Sequence, residues 1–362
     1  MTDQLRNKCE LFTKNRSAIL GKFLFEKAMM SIVAGLIFTG ADREADPERL
    51  AECRKILEKH TGFFSKYRDT VKLALLSEMA LSKDPEQYID DVKAVYRNLN
   101  KGKIKDNTYT VLAAMLICTF EKQDSTDEIL EKYHEIMKHM EKLHPFLTDS
   151  EDISYVILLA LSDRPVDLIL SDMNECFNYL KNTCKIKAGR DAVQGLSELL
   201  ALTNGDIREK CDRVVSLYHA LKEYKMGIDD GFACIALGTL VGIDESAELL
   251  ANEIIDADEY LKHSKGFDEK SVDKNNRLMF AVILVAESYE MNDSVISNTL
   301  VSSALTIIRW KQIATMISVI ANVLPTVLGA LANKDSSEAD SSSKSEEQNS
   351  ESSEEPDTAV SQ

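Results

Sequence analysis

The sequence contains few of the residues that the tight turns of a β-sheet require, with 14 glycines and six prolines among 362 residues. Strict alternation of apolar and polar residues is also nearly absent. Because such alternation is the signature of a half-buried strand, and because sheets depend on glycine and proline at their turns, the sequence predicts little or no β-sheet. Hydrophobic residues make up 44% of the chain, which is enough for a sizeable helical core.

Sequence motifs of common catalytic and nucleotide-binding sites are also missing. There is no phosphate-binding loop, dinucleotide fingerprint, nucleophile elbow or EF-hand loop. The seven cysteines are scattered without a C-x-x-C pair, and Cys118 and Cys234 lie in apolar helical stretches. This pattern is typical of buried thiols in a reducing compartment, so we predict no disulfide. The polar first residues do not resemble a signal peptide, and we therefore expect a cytoplasmic protein.

The charge balance is strongly acidic, with a formal net charge of −17. Residues 335–362 hold nine acidic residues and one lysine, a net charge of −8, so the rest of the chain still carries −9. An acidic body and tail repel the phosphate backbone, which excludes nucleic-acid binding through a basic face and favours basic partners.

A pattern of about forty residues recurs along the chain. An apolar helix runs into a short acidic turn, and a more charged helix follows. The predicted turns after the apolar helices lie near Thr39, Ser82, Glu121, Ser162, Thr203, Ile243 and Glu287, with gaps of 43, 39, 41, 41, 40 and 44 residues. A nearly constant period of this size predicts stacked helical hairpins.

The charged helices end in a shared pattern, a leucine followed five to seven residues later by another apolar residue. The leucines are Leu99, Leu180, Leu221 and Leu261, and the later residues are Ile104, Ile186, Ile228 and Phe267. The apolar helices lack a polar face, so we expect them to be sandwiched between neighbours. The sequence therefore predicts an all-α domain of stacked hairpins over residues 1–311, either an open α-solenoid or a closed α/α ring.

The stretch "TGFFSKYRDTVKLALLSEMALSKDPEQYIDDVKAVYRNL" (61–99), together with "LFEKAMMSIVAGLIF" before it, resembles a bacterial family catalogued as domain of unknown function 4003. The resemblance covers roughly residues 5–300. It implies a helical protein and supplies no catalytic residues to carry over.

Two short stretches resemble metal sites but lack the required spacing. In "YHEIMKHMEKLH", His134 and His139 are five residues apart, which places them about 140° apart on a helix. They cannot bind one ion as the i, i+4 pair of a zinc protease does, and we expect these two and His144 to be solvated. "NDSVISNTL" (Asn292–Leu300) has leucine where an isoprenoid synthase has its final acid, and a helix N-cap explains it better. We predict no metal ligand, cofactor-binding residue or catalytic residue.

The acidic turns offer two interpretations. They could form a rim that binds cations or a basic peptide, or their side chains could accept hydrogen bonds from the first free N–H groups of the next helix. We favour capping, and the predicted caps are Asp84, Ser125, Asn204 or Asp206, and Asp244.

Residues 312–333 contain no charged residue, and as a helix they would extend about 33 Å, enough to cross a bilayer. Two features argue against a membrane span. One side of the helix carries a continuous stripe of Gln, Thr, Ser and Asn, and Pro325 lies within the segment. We expect an amphipathic helix packed on the repeat domain, or on a second copy in a homo-oligomer, without stable membrane insertion. Residues 334–362, with ten serines after position 335 and no aromatic residue, should form a disordered acidic tail.

Two functions remain open from the sequence. The helical repeat and the lack of a catalytic constellation favour a non-catalytic scaffold that binds a protein partner. The alternative is an enzyme with an acidic pocket in a closed α/α ring, where carboxylates at helix ends act as acid and base. A pocket with two convergent carboxylates would favour the enzyme, and a shallow surface would favour the scaffold.

Overall fold

The computed structural model describes residues 1–290, except 24–27, 63–64, 69–70, 106, 144–151, 163, 203–204, 229–230 and 269–270. These described residues form fourteen α-helices and no β-strand, which confirms the predicted all-α class. The predicted C-terminal helix (312–333), the acidic tail (334–362) and the stretch Asn292–Leu300 lie outside the described residues.

The odd-numbered helices carry most of the charge, and from α3 onward each begins after an acidic turn. They are α1 (Asp3–Lys22), α3 (Pro47–His60), α5 (Pro85–Lys101), α7 (Thr126–Leu143), α9 (Val166–Asn178), α11 (Ile207–Glu223) and α13 (Ala247–His263). Apolar side chains at helical spacing give each one a single buried face; in α5 this face holds Ile89, Val92 and Leu99.

The even-numbered helices are apolar over most of their surface. They are α2 (Ala28–Gly40), α4 (Lys72–Leu81), α6 (Thr108–Thr119), α8 (Asp152–Leu161), α10 (Arg190–Ala201), α12 (Gly231–Ala236) and α14 (Lys274–Glu290). In α6 every residue from Tyr109 to Cys118 is buried. Helices with no polar face must be covered on all sides, so the expectation that these helices are sandwiched is confirmed.

Most of the predicted turns coincide with observed helix ends, but the turn predicted near Glu287 is wrong, because this residue lies inside α14, which extends to Glu290. Helices α2, α4, α6, α8 and α10 end at Gly40, Leu81, Thr119, Leu161 and Ala201, each within two residues of a predicted turn. Helix α12 continues as a 3-10 turn, Leu237–Leu240, which ends three residues before the predicted turn at Ile243. Short connections between helices that pack along their length make consecutive helices antiparallel, so the turns alternate between two ends of the hairpin stack.

The leucine pattern at the ends of the odd-numbered helices is a C-terminal capping motif. Four of these helices are followed by a residue in the left-handed conformation, namely Lys103, Lys185, Lys225 and Gly266. The backbone N–H of Ile104, for example, donates to the carbonyl of Leu99 at 3.1 Å. All eight residues of the predicted pattern are buried. The apolar residue after each turn therefore packs back onto the helix that it terminates.

Helix α1 packs against α13 and α14 as well as against α2 and α3. The ring of Phe12 lies 5.2 Å from that of Phe267 and 5.9 Å from that of Phe280, measured between centroids. The guanidinium of Arg16 lies over the Phe267 ring at 5.0 Å, and its Nη1 donates to the carbonyl of Lys265 at 3.0 Å. The first and last described hairpins are thus in direct contact.

Candidate interaction surface

The acidic turns cap the helices that follow them. Asp84 accepts hydrogen bonds from the N–H groups of the next helix at 3.0 and 3.1 Å, and Asp206 does so at 3.0 Å, as predicted. Asp46 caps α3 in the same way. These carboxylates therefore have a structural role at helix N-termini, where negative charge is also favoured by the helix dipole.

Two of the predicted caps are wrong. Ser125 is the last residue of a 3-10 turn, Gln123–Ser125, that runs directly into α7, so its backbone is already helical and it makes no capping hydrogen bond. At the start of α13 the cap is Ser246 rather than Asp244, because Ser246 has the extended backbone that precedes a helix and its hydroxyl accepts from the N–H of Leu249 at 3.1 Å. Asn204 lies outside the described residues.

Other carboxylates at these turns bind lysines of the preceding odd-numbered helix. Asp42 pairs with the buried Lys8 at 2.5 Å, and Glu44 pairs with Lys14 at 2.5 Å. Among the described residues, no group of three or more His, Cys, Asp or Glu side chains is positioned to hold a metal ion. The His134 ring nitrogen Nε2 is 2.7 Å from the carbonyl oxygen of Gly102, whereas His144 is not described.

Four turns at the opposite end of the hairpins, those after α5, α9, α11 and α13, contain exposed lysines. Each follows an odd-numbered helix, where positive charge complements the helix dipole. Lysines of these turns and of the helix ends beside them are Lys101, Lys103, Lys181, Lys185, Lys187, Lys225 and Lys265. Because consecutive helices are antiparallel, the acidic and the lysine-rich turns lie at opposite ends, and the net negative charge of the chain is distributed unequally.

A concentration of positive charge lies in the segment from Cys176 to Arg190. It holds three lysines and one arginine and no acidic residue. The side chains of Lys181, Lys185 and Lys187 are exposed, and they take part in no ion pair within the described part of the chain. The last turn of α9 widens into a π-helical turn, Tyr179–Cys184, before the left-handed Lys185. π-Helical turns of this kind often occur at functional sites.

The neighbouring turn adds an exposed aromatic residue to this basic segment. Helices α9 and α11 are in contact, as are α10 and α12, so the α9–α10 and α11–α12 turns are neighbours. Tyr224, in the second turn, has 54% of its surface exposed and is followed by Lys225. We define the basic patch as Lys181, Lys185, Lys187, Tyr224 and Lys225. Exposed tyrosines are enriched at protein-binding surfaces, and the lysines beside Tyr224 add positive charge that attracts an acidic partner.

Sequence reasoning missed the basic patch because it considered the net charge of the whole chain. The signal was present in the ends of the odd-numbered helices, "KNTCKIKAGR" and "KEYKMG", where lysines cluster. Summing charges separately for the two kinds of turn would have identified it.

Three carboxylates in a cleft or in the interior, Glu44, Asp46 and Asp258, are engaged in structural contacts. A polar cleft of about 420 Å³ between α3 and the end of α4 is lined by Glu44 and Asp46 among others. Glu44 pairs with Lys14, and Asp46 caps α3. Asp258 forms an ion pair with Arg277 in the interior. These three acids therefore do not provide the pair of convergent, available carboxylates that acid–base catalysis requires.

No described helix combines the length and the apolar character that a membrane crossing requires. In comparisons with known proteins, the family described as "Protein of unknown function (DUF4003)" matches residues 16–313. No curated protein and no solved structure matches the sequence.

Proposed function

Because the chain belongs to the DUF4003 family, whose description assigns no activity, we propose a function from the chain's own surface. The protein is a non-catalytic interaction protein that binds an acidic segment of a protein partner at the basic patch. The helical hairpins serve as the rigid support that holds this patch in place.

The observation that carries the proposal is the placement of the charges. Lys181, Lys185 and Lys187 are exposed on one turn without ion-pair partners among the described residues, beside Tyr224. Unpaired surface lysines repel one another, and an acidic partner relieves this repulsion. Attraction between the opposite charges also acts at a distance and increases the rate of association. The tyrosine offers a large, rigid contact area with few rotatable bonds, which suits it as the centre of an interface.

A protein partner fits this surface better than a nucleic acid. A nucleic acid is a long polyanion and would meet the acidic turns and the negative body beyond the patch, where it is repelled. An acidic protein segment needs only to match a few lysines. The net charge of the whole chain favoured basic partners, whereas the basic patch favours an acidic partner at this end. We still expect no binding of nucleic acid.

The contact of α1 with α13 and α14 supports the closed α/α ring over the open solenoid. The alternative function, an enzyme with an acidic pocket, also assumes a closed ring. That alternative has no specific support, because the acids Glu44, Asp46 and Asp258 are engaged in ion pairs or caps. The proposed homo-oligomer through residues 312–333 concerns a segment outside the described residues.

A matched pair of charge-reversal variants tests the proposal. In the first, Lys181, Lys185 and Lys187 are changed to Glu; in the second, the exposed Lys55, Lys122 and Lys138 are changed to Glu, which gives the same change in net charge away from the patch. Binding of a fluorescent twenty-residue glutamate-rich peptide is measured at several salt concentrations. We expect the patch variant to lose at least tenfold in affinity and the control variant less than threefold.

Two results would contradict the proposal. One is an equal loss of affinity in both variants, which would indicate only a response to net charge. The other is tighter binding of a twenty-nucleotide single-stranded DNA than of the peptide at the same ionic strength, because a nucleic-acid-binding surface would then be the better description. In native cells, carbodiimide cross-links from Lys185 or Lys187 to carboxylates of one protein, also formed by the control variant, would identify the partner.

A further inference from the structure

Two thiols meet in the interior between α9 and α11. The Sγ atoms of Cys176 and Cys211 are 3.2 Å apart, and both side chains are fully buried. Each cysteine belongs to a separate hairpin, 35 positions apart in the sequence. A disulfide requires the two sulfurs to approach by only about 1 Å more, so the fold already holds this pair close to bonding geometry.

A third cysteine connects the pair to the surface. Cys184 ends the π-helical turn Tyr179–Cys184, which packs against both α9 and α11, and its side chain is partly exposed. These are the two helices that carry Cys176 and Cys211. Cys184 also lies in the segment that contains Lys181, Lys185 and Lys187 and no acid. Cys184 is thus the partly exposed thiol of the three, and Cys176 and Cys211 are the buried ones.

We propose that Cys176 and Cys211 form a redox modification site, oxidised to a disulfide through Cys184 by an anionic low-molecular-weight disulfide. The proposal is independent of the partner-binding role. All seven cysteines are free in the structure, in agreement with the sequence-based prediction of no disulfide, and the proposal concerns a bond that forms only on oxidation.

The chemistry is thiol–disulfide exchange in three steps. The Cys184 thiolate attacks one sulfur of the small disulfide, forms a mixed disulfide and releases one small thiolate. The Cys176 thiolate then attacks the Cys184 sulfur and releases the second small thiolate. Finally, the Cys211 thiolate attacks the Cys176 sulfur, and Cys184 leaves as a thiolate. Two protein thiols lose two electrons and two protons, and one small disulfide becomes two small thiols.

The surroundings of Cys184 indicate which oxidants are suitable. The Asp212 carboxylate also acts on Cys184, but the three lysines of the segment outnumber it. The net positive charge attracts a disulfide that carries carboxylates and repels one that carries amines. Burial raises the pKa of the Cys184 thiol above its ordinary value, and the hydrogen bond with Cys176 together with burial raises that of Cys211. The thiolate is the attacking species, so the exchange is slow near neutral pH and accelerates as the pH rises.

Thiol counting and peptide mapping on the full-length protein test the site. The reduced protein is incubated with glutathione disulfide, a carboxylate-bearing probe, or with cystamine, an amine-bearing one. We expect the number of titratable thiols to fall from seven to five, faster with glutathione disulfide. Trypsin cleaves after Lys181, Lys185 and Lys210, so the three cysteines fall in separate peptides, and the linked pair should be the peptides of Cys176 and Cys211.

Conservative variants assign the roles. Cys184→Ser should slow disulfide formation at least tenfold, and Cys176→Ser or Cys211→Ser should abolish the Cys176–Cys211 link. Cys118→Ser, which removes a buried thiol elsewhere, is the control and should leave the rate unchanged. The proposal is overturned if seven thiols remain after prolonged incubation, or if the mapped link joins other cysteines. A faster reaction with cystamine would overturn the anionic route. The mapping uses the unmodified protein, so it is decisive even if a variant folds poorly.

Discussion

The rings of Phe12 and Phe267 pack with their centroids 5.2 Å apart, although they belong to the first and the last hairpin of the described chain. Both side chains are fully buried, and Phe280 completes the cluster. The contact joins α1 to α13 and α14, so it secures the two sequence-distant ends of the hairpin stack to each other. A contact between such distant elements reduces the freedom of the terminal helix to detach on its own.

Phe12→Ala tests this contact. Removing a buried phenylalanine creates a cavity, and we expect a loss of about 3–5 kcal/mol in the free energy of unfolding. Phe120→Ala, at the half-buried end of α6, is the control and should cost clearly less. The measurement is chemical denaturation followed by circular dichroism, with hydrogen exchange across α1. Equal losses for the two variants, with α1 protection unchanged, would show that the contact is not important for stability.

Arg277 and Asp258 form an ion pair in the interior between α13 and α14. Nε of Arg277 lies 2.8 Å from one carboxylate oxygen and Nη2 lies 3.3 Å from the other, with both residues buried. Arg277→Leu should cost about 3–5 kcal/mol, because it leaves the Asp258 charge buried without its partner. The double variant Arg277→Leu, Asp258→Leu should be more stable than either single variant. Additive losses in this double-mutant cycle would disprove the coupling.

Local features of the fold could be predicted from the sequence. The turns near Ser82 and Ser162, the Asp84 cap and the leucine before each left-handed turn all depend on residues close together in the chain, and local chemistry specifies them. The predicted caps Ser125 and Asp244 were wrong. Ser125 lies in a 3-10 turn that runs into the helix, and the neighbouring Ser246 takes the capping position instead of Asp244. The backbone conformation of one or two residues decides which residue caps the helix, and the amino-acid composition of the turn does not reveal this conformation.

Contacts between hairpins could not be predicted. Helical periodicity shows that Phe12 and Cys176 face a core, but it does not show which hairpin supplies the opposite side. The contacts of Phe12 with Phe267 and of Cys176 with Cys211 depend on how one hairpin is positioned relative to another. The lysines of the basic patch, in contrast, cluster along the sequence in "KNTCKIKAGR" and "KEYKMG", so summing the charges of the two kinds of turn separately would have identified them.

Thiol reactivity in the reduced protein should follow burial. Burial raises the pKa of Cys53 to about 11 and that of Cys9 and Cys118 to about 12, so these thiols are almost entirely protonated at neutral pH. Cys184 is the only partly exposed cysteine of the seven. With iodoacetamide at pH 7.5 we expect Cys184 to be alkylated first, at least tenfold faster than Cys9, Cys53 or Cys118. Mass spectrometry of time points decides this, and early modification of a buried thiol would contradict the expectation.

Glu253 provides a test of pH dependence. Its side chain is 4% exposed and accepts a hydrogen bond from the hydroxyl of Tyr289 at 2.8 Å. Burial raises the pKa of the Glu253 carboxyl above its ordinary value of 4.5, and the hydrogen bond only partly opposes this. The folded state therefore holds this proton more tightly than the unfolded state does. The contribution to stability is fully present below about pH 4.5 and is lost as the pH rises through the folded-state pKa.

Glu253→Gln removes this titration and keeps an amide oxygen that Tyr289 can donate to. At pH 7 we expect the variant to melt about 1–3 °C above the wild type, because no charge has to be buried. The difference should shrink as the pH falls toward 4.5, where the wild-type carboxyl becomes neutral. Glu248→Gln, exposed in the first turn of the same helix, is the control and should give no increase at pH 7 because it removes an acid that favours the helix N-terminus. Melting temperatures from pH 4 to pH 8 decide the matter: a Glu253→Gln variant that melts below the wild type at pH 7 would show that the charged carboxylate stabilises the fold through its hydrogen bond.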